Sequence, residues 1–169
     1  MSTDNPSPSR AVNLRRILVP TDFSEGARAA LDLALSLAEV FEARVDLLHV
    51  WELPAYLPSE AMLGTTGAQV QSLSQAAQAH AEANMHALVS GIGAPAARVD
   101  QILLEVGSAA PTIVEVARTG NYDLIVIGTH GRSGISRLVA GSVTERVVRS
   151  ATCPVLSVRA PLDAGQTRR

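Results

Sequence analysis

Five short runs of apolar, mostly branched residues alternate with four longer segments along the middle of this chain, and few folds accept that alternation. The runs are RILVPT (16–21), RVDLLHVW (44–51), VDQILLEV (99–106), YDLIVIG (122–128) and CPVLSVR (153–159). LIVI in the fourth run is continuous rather than alternating, as expected of a strand covered on both faces. The segments between them have helical spacing. Residues 24–41 place Ala30, Leu31, Ala34, Leu35 and Ala38 three and four apart, with Asp22 and Ser24 available as caps. Residues 68–90 carry a weaker stripe of Val70, Leu73, Ala77, Ala81, Met85 and Leu88. Ser108 can cap 109–119, whose first turn tolerates Pro111 because the amide it lacks would be unpaired there. Ser142 and Glu145 have the spacing of a capping box opening 143–151. Strand–helix alternation of this kind predicts an α/β fold, a parallel sheet with helices on both faces.

With 169 residues the chain suits one domain of that kind. Its opening residues, rich in Pro, Ser, Asp and Asn, read as a disordered arm, and APLDAGQTRR as a loose tail. WELPAYLPSEAMLGTTG (51–67) is the one long connection, too punctuated by proline and glycine for a helix. A net charge of −2 gives no general attraction to nucleic acid or to an anionic membrane. No apolar run approaches the roughly 20 residues that span a bilayer. MSTDNPSPSR lacks the basic-then-apolar order of a secretory signal, and Cys153 is the only cysteine. These features point to the cytoplasm. The chain has no lysine, all 14 basic residues being arginine, so a lysine-dependent P-loop and Schiff-base chemistry are both excluded.

In an open parallel sheet, ligands bind beyond the carboxyl ends of the strands, where the strand order reverses. Asp22 follows the first run, His49 to Trp51 end the second, and Gly128 ends the fourth. After the fourth run comes GTHGRSGISRLVAGS, which brackets Thr129 and His130 between Gly128 and Gly131 and closes on Gly141 and Ser142. Glycines let backbone amides approach an anion, and a helix start at Ser142 favours negative charge. Spacing alone fits two structures equally, an anion cradle and an ordinary glycine-rich turn before a helix. His130 reads as a solvated loop residue, and His49 as a strand-end histidine bonded to backbone. His80 and His86 are six apart, the wrong spacing for a metal pair on one helix face, so no metal site is assigned. Cys153 reads as a small buried apolar residue, and Arg146, Arg149, Glu39 and Glu42 as solvated.

The pattern G-x2-G-x9-G-[ST], read as Gly128, Gly131, Gly141 and Ser142, resembles the ATP-binding signature of the universal stress protein family. ILVPTDFS (17–24), LLHVWE (47–52) and GSVTERVVRSATCPVLSVR (141–159) look like other parts of that domain. The resemblance spans residues 14–159, leaving 1–13 as an arm and 160–169 as a flexible tail. It implies a Rossmann-like sheet (adenine nucleotide alpha hydrolase-like) with strand order 3-2-1-4-5. It further implies an ATP site, with Mg2+ held by the phosphates. Asp22 would bond the ribose or adenine region, Pro20 and Thr21 would shape the adjoining wall, Val50 would meet adenine through its backbone, and Ile127 would line an apolar slot. Gly128, Gly131, Arg132, Gly141, Ser142 and Val143 would surround the phosphates. A homodimer through the edge strand at 153–159 is also implied, as is a regulatory role in the stress response with an unidentified protein partner.

The competing reading is an enzyme at the same site, a slow ATPase or an autophosphorylating phosphotransferase. Phosphoryl transfer wants a positioned base, a metal clamp and a cationic group, for which only Asp22, Ser142 and Arg132 are candidates, so no catalytic residue is assigned. A phosphoacceptor receiver domain shares the strand–helix plan but needs a lysine after its fifth strand and an aspartate after its third. This chain has Gly107 and Ser108 after the third and no lysine anywhere.

Overall fold

A computed structural model describes residues 13–51, 67–129 and 142–160. The expectations for the N-terminal arm, the 51–67 connection beyond Trp51, most of the tail, His130, Gly131, Arg132 and Gly141 therefore lie outside the described residues. The elements in chain order are β1 (Arg16–Pro20), α1 (Glu25–Phe41), β2 (Arg44–Trp51), α2 (Gly67–Ser90), a 3-10 turn (Ala94–Arg98), β3 (Val99–Val106), α3 (Ala109–Thr119), β4 (Leu124–Gly128), α4 (Ser142–Ser150) and β5 (Val155–Val158). The five strands form one sheet in the order β3-β2-β1-β4-β5, as the resemblance implied, and every pairing is parallel.

Alternation along each strand divides the core into two layers. Ile17 and Val19 of β1 join Val45 and Leu47 of β2 and Val126 of β4 on one face. That face is covered by the predicted stripe of α1, Ala30, Leu31, Ala34, Leu35 and Ala38, and by Met85 and Leu88 of α2. Ala81 is also buried, while the side chains of Val70, Leu73 and Ala77 lie outside the described set. On the other face Leu18, Leu48, Ile125 and Ile127 meet Ala110, Ile113 and Ala117 of α3 and Val147 of α4. The small residues of α1 let the helix lie close on the sheet. The clearest case is Gly128, where an added Cβ would stand 2.5 Å from the Gly26 carbonyl carbon.

At the amino end of the sheet a buried charge holds three strands together. Asp46, 1% exposed, accepts hydrogen bonds from Arg16 Nη2 at 2.7 Å, Tyr122 Oη at 2.6 Å and the Gln101 amide at 3.0 Å. The Arg16 guanidinium also lies 4.5 Å from the centre of the Tyr122 ring. Burial, and then the bond to Asp46, push the Tyr122 hydroxyl well above the usual tyrosine range.

Several boundaries differ from the sequence reading. The fourth run becomes a strand only at Leu124, because Tyr122 turns into the Asp46 cluster and the Asp123 carboxylate accepts from the amides of Arg15 and Arg16 at 2.8 and 2.9 Å. The fifth begins at Val155 rather than Cys153, since Pro154 has no amide to give the ladder. Cys153 is half-buried rather than fully buried. Ser108 occupies the cap position of α3, but its side chain makes no cap bond. Ser142 is the first residue of α4 rather than its cap, and Glu145 pairs with Arg149 at 2.6 Å instead of reaching back to Ser142. The 3-10 turn at Ala94–Arg98 had no counterpart in the sequence reading.

Candidate functional site

The strand order reverses between β1 and β4, and a cleft of about 180 Å³ opens there at the carboxyl ends of the strands. Pro20, Thr21 and Asp22 line it from the end of β1, Leu48 and Val50 from β2, and Ile127 and Gly128 from β4. Ser142, Val143 and Thr144 close it from the first turn of α4. All eight described residues that the sequence reading named for a nucleotide therefore line one cleft. Ser24, Ala27, Leu48, Ala109, Ile113 and Thr144 also line it and were not named.

Parallel topology dictates the electrostatics. Each helix that follows a strand starts at the carboxyl edge of the sheet, so the first turns of α1, α3 and α4 all contribute to the cleft wall through Ala27, Ala109 and Ser142. A helix start presents unpaired amides and a partial positive charge of about +0.5. Among the described residues, no arginine lines the cleft and Asp22 is its one charged side chain. Among the described residues, attraction for an anion therefore comes from backbone, beside a single carboxylate.

The turn that carries Asp22 is tightly determined. The Thr21 amide continues the ladder by donating to Leu48 O at 2.8 Å. Thr21 Oγ1 accepts from the Phe23 amide at 3.1 Å, Asp22 Oδ1 from the Ser24 amide at 3.0 Å, and Ser24 Oγ from the Ala27 amide at 3.2 Å. Asp22 and Ser24 thus both serve the helix start, Ser24 as its cap. Phe23 pays for this sharp turn with a left-handed φ of 65°, a conformation costing about 1–2 kcal/mol in a residue with a Cβ. His49 reaches across from β2, its Nδ1 2.8 Å from Thr21 O, the backbone bond expected of it. A carbonyl only accepts, so Nδ1 carries the proton.

On the opposite wall, Thr144 is 3% exposed and its Oγ1 donates to Gly128 O at 2.7 Å, locking the first turn of α4 to the end of β4. That contact joins residues 16 apart in sequence. The only sequence signal for it was a hydroxyl two places after Ser142. Gly128 has a double role. It lines the cleft, yet its missing Cβ is demanded by the close approach of Gly26 and Ala27 in α1. His80, His86, Arg146, Arg149, Glu39 and Glu42 are exposed and are not among the cleft-lining residues.

An open, all-parallel α/β sheet with a cleft at its topological reversal and helix starts around the rim defines a Rossmann-like domain of the crevice-binding class. Residues 13–159 match the model of the universal stress protein family, and the chain belongs to that family. It is 33% identical over 149 residues to Universal stress protein MJ0531 of Methanocaldococcus jannaschii, covering 87% of this chain and 83% of that one. Among solved structures it is similar to universal stress protein UspA from Lactobacillus plantarum, with a TM-score of 0.73, 30% identity, and coverage of 87% of this chain and 99% of the other. The same fold appears in the universal stress protein from Archaeoglobus fulgidus in complex with dAMP, at 21% identity and a TM-score of 0.55, covering 87% and 98% of the two chains. Among the described residues, no helix is long and apolar enough to cross a membrane.

Proposed function

We propose that this chain binds an adenine nucleotide, ATP, in the β1–β4 cleft and acts as a nucleotide-dependent regulatory module of the stress response. The observation that carries this reading is the convergence on one cleft of Asp22, Val50, the apolar Ile127 and three helix starts. The first three suit a nucleoside, and the helix starts suit its phosphates. Gly131, Arg132 and Gly141 are assigned to the phosphates through the family signature. The described cleft offers one carboxylate, too few to hold a divalent cation alone, so Mg2+ would enter on the phosphates. Family membership and the dAMP complex of a protein with the same fold support an adenine ligand. Calorimetry on nucleotide-stripped protein tests the reading. ATP should bind roughly tenfold to a hundredfold more tightly than GTP, because the wrong base leaves an unpaired polar group costing about 1–3 kcal/mol. No ATP binding at millimolar concentration refutes it.

The same proposal includes a homodimer through residues 153–159, with room for a further protein partner. Strand β5 pairs only with β4 among the described strands, and Leu156 on it is 36% exposed. Nearby in sequence, Val148 is 54% exposed. Unpaired apolar edges invite pairing with a second chain. Sedimentation of Leu156→Asp at micromolar concentration should give monomer, and an unchanged dimer would exclude this geometry. A lone cysteine suits a reducing compartment such as the cytoplasm.

A further inference from the structure

The β1–α1 turn presents Thr21 and Asp22 to the cleft, yet its shape depends on a residue outside the cleft. Three of the bonds that hold it are local, joining residues two or three apart: Phe23 amide to Thr21, Ser24 amide to Asp22, Ala27 amide to Ser24. Local bonds of this kind define a turn but do not anchor it to the sheet. Two contacts from β2 do. One is the ladder bond from the Thr21 amide to Leu48 O, a backbone feature common to parallel sheets. The other is His49, whose Nδ1 lies 2.8 Å from Thr21 O. The His49 ring also lies 4.6 Å from the Phe23 ring, centre to centre, tilted by 45°.

His49 stands between Leu48 and Val50, both cleft residues, but alternation turns its side chain to the opposite face of the sheet, where Phe23 packs. It therefore grips the turn from behind. One hydrogen bond fixes the peptide immediately before Asp22, and one ring contact fixes the residue immediately after it. Phe23 is the residue in the left-handed conformation, which a side chain adopts only where its surroundings over-determine it.

We propose that His49 is a positioning residue of the cleft, holding the Thr21–Phe23 turn so that the Asp22 carboxylate stays aimed at the nucleoside. The role rests on the nucleotide reading above, since a carboxylate with no ligand to meet needs no aim. His49 acts only through Thr21 and Phe23 and is not a ligand.

Two variants separate the hydrogen bond from mere bulk. His49→Phe keeps a ring against Phe23 and removes the donor. His49→Asn loses the ring but places an amide N–H near the position of Nδ1, able to donate to Thr21 O. Calorimetry with ATP, at a temperature where far-ultraviolet circular dichroism shows each protein folded, should give an affinity at least fivefold weaker for His49→Phe. For His49→Asn it should lie within about twofold of wild type, a rescue that loss of stability alone would not produce. If His49→Phe does not fold, His49→Ala carries the same expectation. In parallel, the 13Cα shifts of Asp22, Phe23 and Ser24, which follow backbone conformation and respond little to ring currents, are recorded without nucleotide by NMR, and they should move in His49→Phe and stay near wild type in His49→Asn. Unmoved shifts in a folded His49→Phe protein overturn the positioning role whether or not ATP binds. Wild-type affinity in His49→Phe, or equal weakening in both variants, also overturns it. Failure of the wild-type chain to bind ATP would instead refute the nucleotide reading, and the role of His49 at that site with it.

Discussion

Replacing Gly128 by alanine separates two reasons for a glycine that the sequence pattern cannot tell apart. If the residue is small only to leave room for a ligand, the nucleotide-free protein should tolerate a methyl group. The packing says otherwise. A Cβ at Gly128 would lie 2.5 Å from the Gly26 carbonyl carbon, 2.7 Å from its oxygen and 2.8 Å from the Ala27 nitrogen. All three are backbone atoms, so no flexible side chain can swing aside, and the first turn of α1 must lift from β4. Overpacking a well-packed core costs about 1–3 kcal/mol, and a backbone-on-backbone contact belongs at the upper end, about 3 kcal/mol. With a urea slope of about 2 kcal/mol/M, the unfolding midpoint of the nucleotide-free protein should fall by about 1.5 M. Gly93 provides a contrast, because its added Cβ meets nothing within 4 Å while its φ of 76° is unfavourable for alanine. Gly93→Ala should therefore lose stability through backbone strain alone and leave ATP affinity untouched. The measurement is urea unfolding followed by circular dichroism, without nucleotide. If Gly128→Ala unfolds within about 0.5 kcal/mol of wild type, the packing argument is wrong.

Thr144→Val should leave Gly128 O without its partner, at a cost of about 1–3 kcal/mol in stability, and should weaken ATP binding as the first turn of α4 loosens; Thr144→Ser should restore both, as read by urea midpoint and calorimetry. The Tyr122 hydroxyl is held above its usual range by burial and by Asp46, so the unfolded chain ionises first as pH rises past about 10. Its contribution to stability is complete below that pH and declines above it, by up to about 1.4 kcal/mol per pH unit. The urea midpoint should therefore drop between about pH 10 and 11.5. Tyr122→Phe should flatten that slope while lowering stability at pH 7, and the absence of lysine removes one class of side chain that would otherwise titrate in the same range. Burial likewise pushes the Cys153 thiol up, leaving little thiolate at neutral pH, so labelling by a thiol reagent should be slow when folded and rapid in urea; equal rates would contradict its half-buried placement.

The architecture was legible because it rests on local signals. Branched runs separated by helical stripes give a parallel sheet, and Ala30, Leu31, Ala34, Leu35 and Ala38 are all buried as their spacing demands. Strand ends were less legible, since they depend on partners far away in sequence. Asp123 ends the turn before β4 by bonding Arg15 and Arg16, 108 and 107 residues distant. Eight of the fourteen described cleft residues were named from the sequence, Asp22, Val50, Gly128 and Ser142 from their place at strand ends or a helix start and Pro20, Thr21, Ile127 and Val143 through the family resemblance. The remaining six depend on packing. Ala109 and Ile113 of α3 reach the cleft only because that helix crosses the same face as β2 and β4, and Thr144 matters only because Gly128 O lies beside it. Asp46 was passed over inside an apolar run, although a lone carboxylate between Val45 and Leu47 is the pattern a buried, paired charge leaves in a strand.

The cleft joins parts of the chain that are made far apart in time. Asp22 and Ser142 both line it, yet 120 positions separate them. A ribosome adding about 5–20 residues per second needs roughly 6–24 seconds to travel between them. During that interval β1, β2 and β3 can pair and α1 can dock, but β4 has no place in the growing sheet until the residues before it are complete. Nothing that needs both walls can bind a nascent or truncated chain. On the proposed reading, nucleotide thus binds only once α4 has been made, and it cannot template the earlier steps of folding.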